Sequence, residues 1–465
     1  MLNAKTWTFN AAVTRPTTTP QSIMNASRPA LLSCAFALFA SATPTHAQLS
    51  VEWITQYGSS EADLGRGIAV DALGRSWVTG WTYGNISGDF MGGTDVFLSR
   101  LSASGTVEFT HQRGGTGFDA AQSVVLVGNN TVFIGGNTNS STFDGIANLG
   151  SSDALMVRYD TNGTWQGTMC FGGRSSEVLY SLAANATQVL AAGFTFSPFD
   201  GQSTIGTGDT LLTKRDSSGD LVWTRFAGTT SSDYALAAAF DNAGNAYFAG
   251  ETGGSFSGFT NAGNSDLLIA RYDIYGNRTL LKQFGSSGGE YPTDMEVDGE
   301  GNIYLVGDTW GPLDGQINGL QDAFLMKLDS AGNVLWTRLF GGSNFDYGSG
   351  VGLDGAGHVW ISGTSSSTSG GQPNAIKPGA FVAEYDTDGN LLDTIFLNDS
   401  GGDRISGLAI GPDGAAYVTG DTTGVLGTTS AGGRDIFVAK IVPEPCTALL
   451  AASGILLLQR RRQWH

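Results

Sequence analysis

Two ladders of residues share one period, and together they limit this chain to repeat architectures. One slot opens a strand-like DxFxxKxD stretch and is filled by Asp95, Asp153, Asp209, Asp266, Asp322, Gly379 and Asp435, at steps of 56 to 58 residues. A glycine that closes a YVxG-like stretch keeps step with it, at Gly80, Gly136, Gly193, Gly250, Gly307, Gly363 and Gly420. Both ladders count seven copies of one unit of about 57 residues.

Within a unit, short runs alternate apolar and polar residues, the period of strands and not of helices. In the copy that begins at Asp266 four strands are expected: 266–272, 278–284, 293–297 and 302–307. Asp273-Ile274-Tyr275-Gly276-Asn277 joins the first two, with the residue types that a tight hairpin turn requires. Four short antiparallel strands repeated seven times predict an all-β fold, a seven-bladed β-propeller, each blade burying both faces against its neighbours. Trp77, Phe133, Tyr247, Tyr304, Trp360 and Tyr417, with Leu190 in the same slot, are expected to pack between blades.

The ends of the repeat region predict how the ring closes. Val51 to Gly58 matches the 333–341 segment, so the chain enters partway through a unit. It also leaves partway, because nothing repeat-like follows the Asp435–Ile441 strand. The N-terminal strand is therefore expected to complete the last blade, removing edges that invite aggregation.

The unit DAFLMKLDSAGNVLWTRLFGG, followed by VGLDGAGHVWISGT, resembles the bacterial SBBP β-propeller repeat over about residues 51 to 441. That resemblance implies a fold far more than a reaction. Copies three and six depart most: Asn185-Ala186-Thr187 replaces an Asp-x-x-Gly-Asn turn, and Gly379 and Glu384 stand where other copies carry Asp and Lys or Arg.

The flanks differ from the repeat. Residues 1–47 carry an apolar run after Arg28 that ends at Thr45-His46-Ala47, the pattern of a cleaved export signal, with Met24 as an alternative start. A loose lipoprotein box at Leu31-Leu32-Ser33-Cys34 is disfavoured, because apolar sequence continues past the cysteine. The propeller is expected over 48–442. Segment 443–465 holds Pro443-Glu444-Pro445, an apolar run and Arg460-Arg461-Arg462, and resembles the PEP-CTERM sorting signal of Gram-negative bacteria. Its twelve apolar residues would reach about 18 Å as a helix against a hydrocarbon core of about 30 Å, too short for a comfortable span. The resemblance implies an exosortase-type processing enzyme as partner, transient membrane association, and delivery to the cell surface or extracellular matrix.

Composition narrows the partners. With 24 basic and 42 acidic residues the formal charge is −18, which argues against nucleic acid and anionic lipid and suits cations or neutral glycans. Cys34 leaves with the signal and Cys446 lies in the tail, so Cys170 has no intradomain partner. Outside the signal the histidines are His111, His358 and His465, too few for a His-rich zinc centre or an evident Ser-His-Asp triad. Asp-x-x-Gly-Asn turns such as 329–333 resemble the Asp-box hairpins of sialidase-like propellers, which are structural.

Two sets of residues remain as candidates. An acid recurs at Asp63, Asp119, Glu177, Asp233, Glu290, Asp346 and Asp403, at the entrance to the strand expected to lie innermost in each blade. These acids are expected to ring one mouth of a central channel, either capping backbone N–H groups and pairing with a basic slot such as Arg100, Arg158, Lys214, Arg271, Lys327 or Lys440, or, alternatively, holding a cation such as Ca2+. At about 9 Å spacing neighbouring carboxylates repel by about 0.5 kcal/mol in water and about 2 kcal/mol at an effective dielectric of 20, so a solvated ring is tolerable and a dry one needs counter-charge. The second set lies in the unequal loops between the glycine and aspartate ladders: Trp81, Tyr83, Phe90, Phe143, Phe199, Phe259 and Trp310. They either offer stacking faces to sugars or tuck against the blade tops. The expectation is a non-enzymatic binding or matrix module for polysaccharide or another envelope component, with no cofactor beyond the calcium alternative. A secreted hydrolase or lyase using ring carboxylates is the competing reading.

Overall fold

Residues 47–88, 90–366, 378–398, 401–427 and 429–444 are described by the computed structural model. Among them seven four-stranded antiparallel sheets form the blades of a β-propeller. Blade 1 runs from its inner strand Asp63–Val70 through Ser76–Thr82 and Asp95–Leu101 to its outer strand Val107–Arg113. Blades 2 to 6 repeat this order, with inner strands Asp119–Val127, Glu177–Ala184, Asp233–Phe240, Glu290–Val297 and Asp346–Leu353.

Blade 7 carries out the expected closure. Its inner strand Arg404–Ile410 is followed by Ala416–Thr422 and Asp435–Pro443, and its outer strand is Leu49–Tyr57 from the start of the repeat region. The last two pair antiparallel from Leu49 opposite Pro443 to Tyr57 opposite Ile436. The sheet therefore hydrogen-bonds the first strand of the ring to the last, and no blade is left incomplete.

Burial explains the strand compositions. The second and third strands of each blade are covered on both faces, whereas outer strands such as Trp165–Phe171 are half exposed. Seven apolar clusters lie between successive blades; one joins Leu190 and Leu212 of blade 3 to Ala235, Phe248 and Leu268 of blade 4. The expected ladder of Trp77, Phe133, Leu190, Tyr247, Tyr304, Trp360 and Tyr417 is fully enclosed. Each such side chain contributes roughly 1.5–3 kcal/mol by burial.

The glycine ladder has a specific cause. Opposite each glycine the inner strand carries one extra residue, with register shifts between Gly65 and Gly67 opposite Gly80 and between Ala235 and Ala237 opposite Gly250. A Cβ on Gly80, Gly136, Gly193, Gly250, Gly307, Gly363 or Gly420 would run into a carbonyl oxygen of that bulged strand. Only a hydrogen fits there.

Turns between third and outer strands are built by their own side chains. At Asp329 one carboxylate oxygen accepts the N–H groups of Ala331 and Asn333 at 2.9 and 2.8 Å, and the other accepts the Asn333 amide at 2.9 Å. Gly332 supplies the positive φ of 74°. In four blades the basic slot on the third strand then ties the outer turn of the next blade to its own. Arg100 donates to Thr161 O at 2.6 Å, Arg271 to Ser330 O at 3.2 Å and Lys327 to Thr387 O at 3.1 Å.

Candidate functional site

The acid ladder folds into a ring, and a dry one, without the expected pairing to the basic slot, whose Arg100, Arg158, Arg271 and Lys327 reach carbonyls of the next blade's outer turn instead. Asp63, Asp119, Glu177, Asp233, Glu290 and Asp346 open the inner strands with no exposed surface, and Asp403, 3% exposed, precedes the seventh. Each of the first six accepts the N–H of the residue four positions earlier, as Gly115 to Asp119 at 2.6 Å and Ser286 to Glu290 at 3.0 Å show. A hydroxyl at the end of the second strand supplies another donor: Thr195 to Glu177 at 2.8 Å, Thr309 to Glu290 at 3.1 Å and Thr422 to Asp403 at 2.6 Å. This is the geometry of capping acceptors, and it turns the ring away from the channel.

The aspartate ladder forms a second buried row against the first. Asp95, Asp153, Asp209, Asp266, Asp322 and Asp435 are fully enclosed, each accepting an N–H from four residues back. One acid from each row meets over the glycine that ends the outer strand. A Cβ on Gly58 would lie 2.6 Å from Asp63 Oδ2 and 2.7 Å from Asp435 Oδ1, and one on Gly341 would lie 2.6 Å from Asp322 Oδ1 and 2.7 Å from Asp346 Oδ2. Burial raises the carboxyls of Asp63, Asp95, Asp233 and Asp322, and the facing acid of the other row adds to the rise.

The aromatic candidates divide. Phe143 is buried, Phe199 and Phe259 pack against the inter-blade clusters, and Trp81 lies 8% exposed beneath the Arg66 guanidinium, 4.4 Å from its ring centre. Tyr83, Phe90 and Trp310 stand exposed, with Trp310 leaning on Phe345 at 5.8 Å. Three of the seven rings thus stay in solvent and three seat their loops, while Trp81, expected in a loop, lies in the second strand of blade 1.

The residues that line the channel mouth are a set the two ladders do not mark. Each bulge pushes its extra residue toward the axis, as bulges commonly re-aim side chains. The resulting ring is Arg66, Gln122, Tyr180, Leu236, Thr293, Ser349 and Ser406. With Tyr347, Phe345 and Arg404 these surround a cavity of about 750 Å³. Arg404, Arg66, Gln122 and Tyr180 come from consecutive blades and make one arc of donors. In the sequence this slot sits three residues past each ring acid. Its signal is variation between copies, whereas the search for repeats rewards sameness.

Deeper in the channel lie two further carboxyls, Asp294 and Glu296. Asp294 accepts the Val351 N–H of the next inner strand at 2.9 Å, and enclosure still pushes its pKa up to about 7. Glu296 faces the channel water; the surrounding wall, and then the Asp294 charge, raise it to about 8.

Two of the residues expected to belong to a sorting signal lie at the closure. Pro443 ends the third strand of blade 7 and Glu444 donates its N–H to Gln48 O at 2.6 Å; Pro445 and Arg460, Arg461 and Arg462 lie outside the described residues, as does the segment expected to be the export signal. Among the described residues no helix is long and apolar enough to cross a membrane.

Fold and repeat define the class: a seven-bladed propeller of four-stranded antiparallel blades closed by its N-terminal strand. Within it the family model of the SBBP beta-propeller repeat matches residues 52–87 and 281–314, so the chain carries that repeat at two places. The regulatory protein FlaEY of Caulobacter vibrioides is 28% identical over 164 residues, covering 31% of this chain; the chain spans 17% of that relative. Among solved structures, the Pan2 WD40 domain of Neurospora crassa superposes with a TM-score of 0.50 at 10% identity, covering 85% of this chain and 96% of that one. The polysaccharide lyase Uly1 gives a TM-score of 0.49 at 12% identity, over 84% of this chain and 92% of that one.

Proposed function

We propose that the protein is an exported, surface-sorted propeller that binds polysaccharide, or a related envelope polymer, at the upper channel mouth without turning it over. The observation that carries this reading is the asymmetric channel mouth, where the bulge residues Arg66, Gln122 and Tyr180, with Arg404 beside them, face a cavity of about 750 Å³ next to exposed aromatic side chains. Two guanidinium groups at the mouth supply local counter-charge to a sugar carboxylate, against the overall charge of −18, while Tyr180 and Tyr347 offer faces for pyranose rings.

Chain direction supports a presenting role. Leu49 and Pro443 pair at the blade end opposite the acids and the long loops, so the described chain reaches Pro443 at the far face. An exosortase-type enzyme acting on Pro443-Glu444-Pro445 would leave the channel mouth facing outward from the envelope. A glycan array probed with the full chain tests this reading, and signal confined to acidic polysaccharides is the expected result.

Asp294 and Glu296 favour one second reading, a polysaccharide hydrolase or lyase. They are single, unrepeated acids in a channel, with pKa values raised toward those of general acids. Release of reducing ends or unsaturated uronates by the parent chain, lost in Glu296→Gln, would establish catalysis; binding without release keeps the module reading.

A further inference from the structure

Blade 6 breaks the pattern of the two blades before it at the end opposite the channel mouth. In blades 4 and 5 the turn after the inner strand pairs an aspartate with an asparagine, Asn245 donating to Asp241 at 2.7 Å and Asn302 to Asp298 at 2.8 Å. A base on the third strand, Arg271 or Lys327, reaches from there to the outer turn of the next blade. In blade 6 the three slots hold Asp354, His358 and Glu384. The chain closure gives the reason for the missing base. Blade 7 takes its outer strand from the start of the repeat region, so it has no outer turn for a blade 6 base to reach.

The replacements converge. His358 Nδ1 lies 2.7 Å from Asp354 Oδ2 and 3.3 Å from Glu384 Oε1, and the three ligating atoms all fall within 4.8 Å of one another. We propose that Asp354, His358 and Glu384 bind a single divalent transition-metal ion, with zinc as the representative. Metal bonds of about 2.0–2.2 Å set neighbouring ligands roughly 3–3.5 Å apart, so the His358–Glu384 pair already has that spacing and the His358–Asp354 pair needs to open by less than about 1 Å. The imidazole selects this class over calcium or magnesium, which prefer all-oxygen sites. Two carboxylates balance the dication, and the His358 side chain, 34% exposed, gives solvent access to the otherwise buried site.

A buried donor beside the triad points the same way. Trp360 pairs across the sheet with Glu384, and its enclosed indole N–H has no hydrogen-bond partner. The corresponding indole of blade 1, Trp77, donates to the turn aspartate Asp71 at 3.3 Å. A water or hydroxide on the metal would give the Trp360 N–H an acceptor.

Zinc titration of the chelator-stripped full chain by calorimetry tests the site, with His358→Asn and Glu384→Lys beside the parent. Both variants install what other blades already carry, and unchanged unfolding midpoints without metal check their fold. One equivalent of zinc is expected for the parent, undisplaced by calcium and weakened at least 100-fold in either variant. Failure of the parent to bind zinc, or parental affinity in either variant, overturns the proposal.

Discussion

At the scale of single residues the ring is held by atoms that are absent as much as by atoms that are present. Gly250 has no Cβ because the Tyr234 carbonyl occupies its place, so Gly250→Ala is expected to force the bulge open. Overpacking of this kind costs about 1–3 kcal/mol, readable as a lower urea midpoint with an unchanged slope. The paired carboxylates give a less intuitive prediction. Asp322 Oδ1 is buried without a hydrogen-bond partner and faces Asp346 over Gly341. Asp322→Asn removes one of two facing charges, keeps an acceptor for the Asn318 N–H and adds a donor toward the facing carboxylate. It is expected to leave stability at pH 7 unchanged or raise it by up to about 1 kcal/mol, an advantage that shrinks at pH 5; a clear loss at pH 7 would mean that the pair needs both charges. The sequence displayed both acid rows and the glycines. It did not show that they meet, because the period reports position along the chain and contact is made across a blade junction.

At the scale of elements, the closing strand and the inner-strand bulges decide what the propeller can be. Deleting residues 49–57 removes the outer strand of blade 7 and exposes the Asp435–Pro443 edge. The truncated chain is expected to lose its single cooperative thermal transition and to self-associate, measured by calorimetry and light scattering; a monomer with the parental midpoint would show that closure is dispensable. The strands, their order and this closure were legible in alternation and in the mismatched ends. The bulges were not, since one inserted residue leaves a nearly regular alternation on either side, and with them the channel-mouth ring of Arg66, Gln122 and Tyr180 stayed hidden. The loop aromatics stayed open between two readings for a related reason: Phe143 and Tyr83 look alike in sequence, and only the fold of each loop decides that one is buried and the other exposed.

For the whole molecule, buried and exposed acids respond to pH in opposite directions. Asp63, Asp95, Asp153, Glu177, Asp233 and Asp322 have pKa values raised chiefly by burial, so the native state holds more protons than the unfolded chain above the ordinary carboxylate range. Their contribution is fully present below the unfolded pKa and is lost as pH rises through the folded one. Asp160, Asp273, Asp329 and Asp386 have pKa values lowered, against any burial penalty, by hydrogen bonds from their own turns, and their contribution is lost in acid. The unfolding midpoint is therefore expected to rise from pH 7 toward about pH 5 and to fall below about pH 4; a steady decline from neutrality would contradict the burial of the acid rows. Because the ring acids face capping donors, millimolar calcium is expected to leave that midpoint unchanged, and a calcium-dependent rise would return them to the role of ligands.

The central claim is that the channel mouth, through its bulge residues, binds an acidic polysaccharide. Calorimetric titration of the full chain with a polyuronate tests it most directly, beside an Arg66→Gln, Arg404→Gln double variant with an unchanged unfolding midpoint. The account predicts saturable binding by the parent and a loss of at least tenfold in the variant. Equal affinity in the two proteins, or no binding by the parent at any accessible concentration, would contradict it.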